Sequence, residues 1–225
     1  MDAVAVYADI RRRITGLLRE LGSAVADRRV PTCPDWTVRD VAAHLAGVAD
    51  DALAGNLSAA GTDPWTAVQV EKRRDQPLEE ILQEWDESGP RLEAALAGVG
   101  GGANQLVFDT VTHEHDLRHA LEAPSDRDPD STSVALEFIT GAWSDNFSAH
   151  GFEPLRLVYG GSTIDAGEGE PVATVTMAPF EAMRALSGRR SIGQISAYQW
   201  DADPTLWLPS FTYGPFTPPD DDILE

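Results

Sequence analysis

The spacing of apolar residues predicts that the chain begins with two helices. Between residues 7 and 25, apolar side chains recur at the i, i+3, i+4 and i+7 positions that form one helix face. We expect this helix to end near the charged cluster at residues 27–29. A second helix is predicted from about residue 38 to 56, because Thr37 suits an N-cap and Asp40 occupies the capping-box position.

Two further long helices complete the predicted first domain. The stretch that starts with DPWTAVQVEK indicates a short helix, a break at Pro77, and then a longer amphipathic helix. The glycines at positions 98, 100, 101 and 102 should end this longer helix. Apolar spacing over residues 106–122 supplies the fourth long helix. We therefore predict an all-α four-helix bundle over residues 1–124.

Composition changes after Pro124, and the remaining pattern is mixed. A helical pattern at residues 134–147 precedes two short strand-like runs, LRLVYG and PVATVTM, which are set between glycine-rich turns. A helix at PFEAMRALSG and a proline-rich, aromatic segment follow. We predict a small α+β domain over residues 125–225.

Charge and composition exclude several classes of function. The chain has 225 residues, of which 42% are hydrophobic, so it can bury a substantial core. Its formal net charge of -20 repels phosphate backbones and anionic lipids, which argues against nucleic-acid and membrane partners. The one cysteine, Cys33, excludes an internal disulfide framework and is expected to be a packed turn residue. We predict a cytoplasmic monomer or homodimer.

The stretch FDTVTHEHDLRHAL, residues 108–121, concentrates polar residues on a predicted helix. On a helical wheel His113 lies in the middle of the apolar stripe and Asp109 at its edge. His115 and His119 fall on the opposite side and are expected to be surface or inter-domain residues. His44, on the second helix, borders that helix's apolar stripe.

An acid at the edge of a core needs a compensating partner, because burying an ionised carboxylate costs several kcal/mol. His113, four residues after Asp109, could form a simple Asp–His pair with it. Alternatively, Asp109 and His113 bind a divalent metal together with His44. Asp40, four residues before His44, lies within reach of the His44 ring and could orient it. Two imidazoles and a carboxylate leave coordination positions open and suit zinc, iron, manganese, cobalt or nickel. The spacing alone leaves both alternatives open.

Two motifs together resemble a known family. VPTCPDWTVRDVAAHLAG and FDTVTHEHDLRHAL are similar to the mycothiol-dependent maleylpyruvate isomerase family of actinobacteria, and EILQEWDESGPRLEAAL and APFEAMRALSGRRS extend the likeness to nearly the whole chain. The resemblance implies a DinB-like four-helix bundle whose divalent metal, typically zinc, is held by His44, Asp109 and His113. The family's characterised isomerase has Glu where this chain has Asp109.

The same resemblance implies the chemistry. The expected activity is that of a metal-dependent, mycothiol-dependent S-transferase or cis-trans isomerase acting on a small electrophilic, anionic substrate. Arg189 or Arg190 would pair with a carboxylate of the substrate or the thiol. Alternatively, the two arginines only stabilise the C-terminal end of the preceding helix. A non-catalytic ligand-binding protein and a metal-dependent hydrolase that uses no thiol remain the alternatives.

Overall fold

The computed structural model describes residues 1–97, 103–124 and 127–225. Its chain forms two compact units, residues 1–126 and residues 127–225. The predicted helix end at glycines 98, 100, 101 and 102 lies outside the described residues. Each unit is considered by itself below.

The first unit is mainly a helical bundle, as predicted, and it also contains one short β-hairpin. α1 and α2 each pack against both α4 and α5, and the shorter α3 packs against α2. The helices are α1 (Ala3–Leu21), α2 (Val38–Ala54), α3 (Asp63–Lys72), α4 (Leu78–Leu96) and α5 (Asn104–Ala120).

Local sequence determines where the first two helices end and begin. α1 stops at Leu21, earlier than the expected end near residues 27–29. Gly22 adopts φ 70°, which favours glycine, and donates its N–H to the Leu18 carbonyl. α2 begins with the predicted capping box, in which the Asp40 N–H donates to the Thr37 hydroxyl and the Thr37 N–H donates to the Asp40 carboxylate. The start of α2 is therefore fixed by its own sequence.

A short hairpin stands where the sequence predicted only a turn. β1 (Arg29–Val30) pairs antiparallel with β2 (Cys33–Thr37), which runs directly into α2. β2 carries Cys33 and Trp36. The hairpin therefore fixes the backbone of both residues immediately before α2.

Close helix packing brings buried charges together between α1 and α4. A Cβ on Gly89 would lie 2.4 Å from Nε of Arg11, so the missing side chain makes room for the guanidinium. Arg11 is 5% exposed and donates to Asp86 and Glu93 on α4. These charge-assisted hydrogen bonds compensate the desolvation of the arginine.

α5 is buried on nearly all sides, which the helical wheel did not predict. Its polar outer face is tolerated because Glu114, 2% exposed, accepts hydrogen bonds from Arg13 on α1 and from Arg118 on α5. His115 is 6% exposed, so it does not occupy the surface position that was one of its two expected locations, whereas His119 is partly exposed. The ion pairs of Glu114 with Arg13 and Arg118 compensate the desolvation of this polar face, which allows it to be buried.

The second unit has the predicted α+β composition, with elements that the sequence did not reveal. Its sheet has the order β4-β3-β5-β6, in which β3 and β5 are parallel and the other pairs antiparallel. The elements are α6 (Pro129–His150), β3 (Leu155–Tyr159), β4 (Ser162–Ala166), β5 (Ala173–Met177), α7 (Pro179–Leu186), α8 (Ile192–Ser196) and β6 (Gln199–Trp200). β4, β6 and α8 were not predicted, because they are short and lack apolar periodicity.

The core of the second unit lies between the sheet and its long helices. α6 packs against α7 and against β4. Alternate residues of the central strands, Leu155, Leu157 and Val175, are fully buried, as is Trp143 on α6. In neither unit is a described helix both long and apolar enough to span a bilayer.

Candidate metal centre

Three potential metal ligands converge between α2 and α5. His44 comes from α2, and Asp109 and His113 lie one turn apart on α5. The Nε2 atom of His44 is 3.4 Å from Oδ1 of Asp109, and Nε2 of His113 is 3.8 Å from the same oxygen. All three ligand atoms lie within 4.8 Å of one another. The structure thus brings together the three residues that the sequence singled out.

Burial differs among the three residues. His44 is 2% exposed and His113 is 7% exposed, whereas the Asp109 side chain is 31% exposed. The Asp109 side chain is therefore the most exposed of the three, although its Oδ2 atom is buried. The simple Asp109–His113 pair is not a close contact at 3.8 Å, and the carboxylate lies nearer to His44.

The spacing of these atoms suits a small divalent cation. Ligands at about 2.0–2.1 Å from a tetrahedral zinc ion are separated by about 3.3 Å from one another. The two separations of 3.4 and 3.8 Å lie close to that value. Two nitrogens and one oxygen leave a coordination position open, which is the arrangement of catalytic rather than structural sites.

A hydrogen-bonded chain orients the His44 ring. Gln69 on α3 donates from Nε2 to Oδ2 of Asp51 at 2.7 Å, and its Oε1 lies 2.8 Å from Nδ1 of His44. We expected Asp40 to orient this ring, and that expectation is wrong. The Asp40 carboxylate is used by the capping box at Thr37 instead.

Sequence reasoning missed Gln69 altogether. The residue is 2% exposed, although it lies on a short helix with little amphipathic pattern. Its approach depends on Gly47 of α2, since a Cβ there would lie 2.5 Å from the Gln69 Cβ. The usable signal was a glycine three residues after His44, within a helix, where glycine costs stability unless another element comes close.

Asp116 stands on the other side of the His113 ring. Its Oδ2 is 3.0 Å from Nδ1 of His113, although the angle departs from that of a hydrogen bond. Asp116 is fully buried and also accepts from the Cys33 thiol at 3.6 Å. Cys33 is half-buried in β2, and with His113 and Asp116 it forms a second group of potential metal ligands.

Trp36 packs against both histidine rings. The ring centroids are 5.2 Å apart for His44 and 5.8 Å apart for His113. The indole also lines an open groove of about 700 Å³ that includes Asp40, Val68 and residues from α3. A ligand in this groove would therefore contact the residue that packs on the two imidazoles.

Arg189 and Arg190 belong to the second unit, where they differ in environment. Arg190 is 2% exposed and donates to Glu181 at 2.6 and 3.0 Å and to Glu225 at 2.7 Å. Burial alone would raise the pKa of Glu181, but hydrogen bonds from Arg190 and Tyr198 outweigh burial and lower it. Arg189 is partly exposed and donates to the Ser187 carbonyl.

Comparison with known proteins assigns the chain to a family. Residues 7–125 match the mycothiol maleylpyruvate isomerase N-terminal domain. Crystal structures of the mycothiol-dependent maleylpyruvate isomerase and of its histidine-to-alanine mutant share the fold, each with a TM-score of 0.59 and 14% identity over 90% of this chain and 92% of theirs. No curated protein sequence matches the chain. The match spans more than half of the residues, and the chain belongs to the mycothiol maleylpyruvate isomerase N-terminal domain family.

Proposed function

We propose that this protein is a divalent-metal-dependent, mycothiol-dependent S-transferase or cis-trans isomerase that acts on a small electrophilic substrate. Family membership supports the use of mycothiol, and the named activity of the structural relatives supports isomerisation. The observation that carries the proposal is the convergence of His44 Nε2, His113 Nε2 and Asp109 Oδ1 between α2 and α5.

The chemistry of the three donors supports a cation site. Gln69 accepts from Nδ1 of His44, so in the neutral ring the Nε2 lone pair faces the Asp109 carboxylate. Lone pairs that face one another repel unless a cation or a proton lies between them. Zinc, our expected metal, would be held by His44, Asp109 and His113, and its positive charge would lower the pKa of a thiol that approaches it.

The protein's own residues would supply position and access. His44 and His113 are buried and pack against Trp36, whereas Asp109 is the most exposed of the three, and we propose that thiol and substrate approach past its side chain. A thiolate that adds to a cis double bond conjugated to a carbonyl forms a C–S bond, moves the π electron pair onto that carbonyl as an enolate, and leaves a single C–C bond free to rotate. Elimination of the thiolate then restores the double bond in the trans form, without net consumption of thiol.

Arg189 and Arg190 remain our predicted partners for an anionic substrate. Arg190 already donates to two carboxylates in a buried cluster, which favours a structural role for it. We therefore assign the recognition of a substrate carboxylate to Arg189, the more exposed of the two.

Metal content is the first test. The protein, purified without a His tag or a chelator, should contain about one divalent ion per chain by elemental analysis. His113→Ala should lose this ion, whereas His119→Ala, which changes a partly exposed histidine on the same helix, should retain it. No metal in the wild type after incubation with zinc, or full retention in His113→Ala, would overturn the proposal.

Thiol dependence then separates the alternatives. The metal-loaded protein should convert maleylpyruvate, or an activated electrophile, only when mycothiol is present. Turnover without any thiol would indicate a metal-dependent hydrolase instead. Metal binding without turnover under either condition would favour a non-catalytic ligand-binding protein.

A further inference from the structure

The groups beside Nδ1 of the two histidines differ in chemistry, but both rings point Nε2 towards the same residue. Each histidine directs Nε2 towards Asp109, and each has an acceptor beside Nδ1. For His44 the acceptor is an amide oxygen, and for His113 it is a carboxylate. The hydrogen bonds that link His44 to Gln69 and Gln69 to Asp51 have better geometry than the contact between His113 and Asp116.

The donor and acceptor roles of Asp51 and Gln69 determine which nitrogen of His44 carries the proton. Asp51, as a carboxylate, only accepts hydrogen bonds, so the Gln69 atom 2.7 Å from it must be the amide NH₂. The other end of the amide is then Oε1, which also only accepts. Nδ1 of His44, 2.8 Å away, must therefore carry a proton.

We propose that Gln69 and Asp51 are positioning residues that hold His44 in the Nδ1-protonated tautomer, with its Nε2 lone pair available to a metal ion. This inference rests on the proposed metal site. Neither residue touches the metal position, and both act through the imidazole. Outer partners of this kind fix the orientation of ligating histidines and contribute about 10- to 100-fold in metal affinity.

Gln69 is held in place by more than its hydrogen bonds. It is 2% exposed, and its Cβ and Cγ occupy the space beside Gly47. Arg73, which directly follows the last residue of α3 and is 1% exposed, donates to Asp50 on α2 and to Glu84 on α4. α3 is thereby attached to the bundle at the level where its glutamine meets His44.

Metal affinity gives the main test. Zinc affinity of the full chain, measured by competition with a chromophoric chelator, should fall about 10- to 100-fold in Gln69→Leu. Gln83→Leu, an exposed glutamine on α4, is the matched control and should bind zinc like the wild type. The cobalt-loaded form of Gln69→Leu should show altered d–d absorption, because the orientation of one ligand is no longer fixed.

A swap of donor and acceptor separates positioning from packing. In the double variant Gln69→Glu/Asp51→Asn, residue 51 donates and residue 69 accepts, so Nδ1 of His44 again meets an acceptor. This variant should recover zinc affinity to within about threefold of the wild type, whereas Gln69→Glu alone places two carboxylates together. Wild-type affinity in Gln69→Leu, or no recovery in the double variant, would overturn the inference.

The tautomer itself can be observed without metal. In ¹⁵N-labelled metal-free protein, His44 should be protonated at Nδ1 in the wild type and should exchange between tautomers in Gln69→Leu. A wild-type ring protonated only at Nε2 would contradict the positioning role. Failure of the wild type to bind zinc, with the tautomer fixed as expected, would instead count against the proposed function alone.

Discussion

The Gln69 side chain occupies the space that a side chain on Gly47 would need. An added Cβ at residue 47 would lie 2.5 Å from Cβ and 2.7 Å from Cγ of Gln69, both near the root of that side chain. The Gln69 Cβ cannot move unless the backbone of α3 moves with it. The contact between α2 and α3 therefore determines whether Gln69 reaches His44.

Gly47→Ala should weaken zinc binding although it removes no polar group. The methyl group would push α3 outward and lengthen the hydrogen bond between Gln69 and His44, so we expect zinc affinity to fall about tenfold. Competition with a chelator measures this change. Gly16→Ala, on an exposed face of α1 with open space around it, should keep zinc affinity and raise stability by about 0.5–1 kcal/mol. Equal affinities in the two variants would contradict the expectation.

Asp116→Asn should weaken metal binding through His113. The amide keeps the size of the side chain but removes the negative charge beside Nδ1 of His113. The His113 Nε2 atom then donates its lone pair to a metal ion less strongly. We expect a loss of about 10- to 100-fold in zinc affinity, measured by the same competition. Asp75→Asn, on the exposed surface, serves as the control, and unchanged binding in Asp116→Asn would exclude this role for Asp116.

Cys33→Ser distinguishes an outer thiol from a metal ligand. The serine hydroxyl still donates to Asp116, so we expect zinc affinity to stay within about threefold of the wild type. Cobalt-loaded wild-type protein should lack a sulfur-to-metal charge-transfer band. Such a band, lost in Cys33→Ser, would show that the group of Cys33, His113 and Asp116 binds the metal instead.

Tyr7 gives the bundle a pH dependence at high pH. Burial raises the pKa of Tyr7 to about 12, against a smaller opposing effect of the hydrogen bond from Trp85. The folded state thus retains a proton that the unfolded chain releases near pH 10, so this contribution is complete below about pH 10 and is lost as pH rises towards about 12. Urea unfolding should show a steeper loss of stability over this interval for the wild type than for Tyr7→Phe. Parallel losses would contradict the assignment.

The two arginines of the second unit should respond differently to substitution. Arg190→Ala leaves Glu181 and Glu225 without their shared partner and should destabilise the protein by about 3 kcal/mol in urea unfolding. Arg189→Ala should leave stability nearly unchanged but raise KM for an anionic substrate several-fold. Arg156→Ala, which breaks an exposed ion pair, is the control for both measurements. If KM rises no more in Arg189→Ala than in Arg156→Ala, Arg189 does not bind the substrate carboxylate.

Periodicity predicted the architecture well because long amphipathic helices carry a strong signal. The same signal placed His113 inward, Asp109 at the edge and His44 at the border of its helix's apolar stripe. It failed for His115, because the wheel assumes that a polar face remains in water. Pairing of Glu114 with Arg13, 101 residues earlier, removed that requirement, and no local pattern records so distant a partner.

The outer residues of the candidate site were beyond sequence reasoning for a similar reason. Gln69 lies 25 residues from His44, and Cys33 lies 83 residues from Asp116. Each contact depends on how elements pack rather than on spacing along one helix. Gly47 was the one local sign of such packing.

The unequal exposure of the three candidate ligands has a kinetic consequence. Since His44 and His113 are buried and Asp109 is the most exposed of the three, an ion in the proposed site and any molecule that reacts with it would approach past the Asp109 side chain. A bound thiol or substrate would block that approach. Exchange of the ion should therefore slow sharply during turnover, so a chelator would inactivate the resting protein faster than the working one.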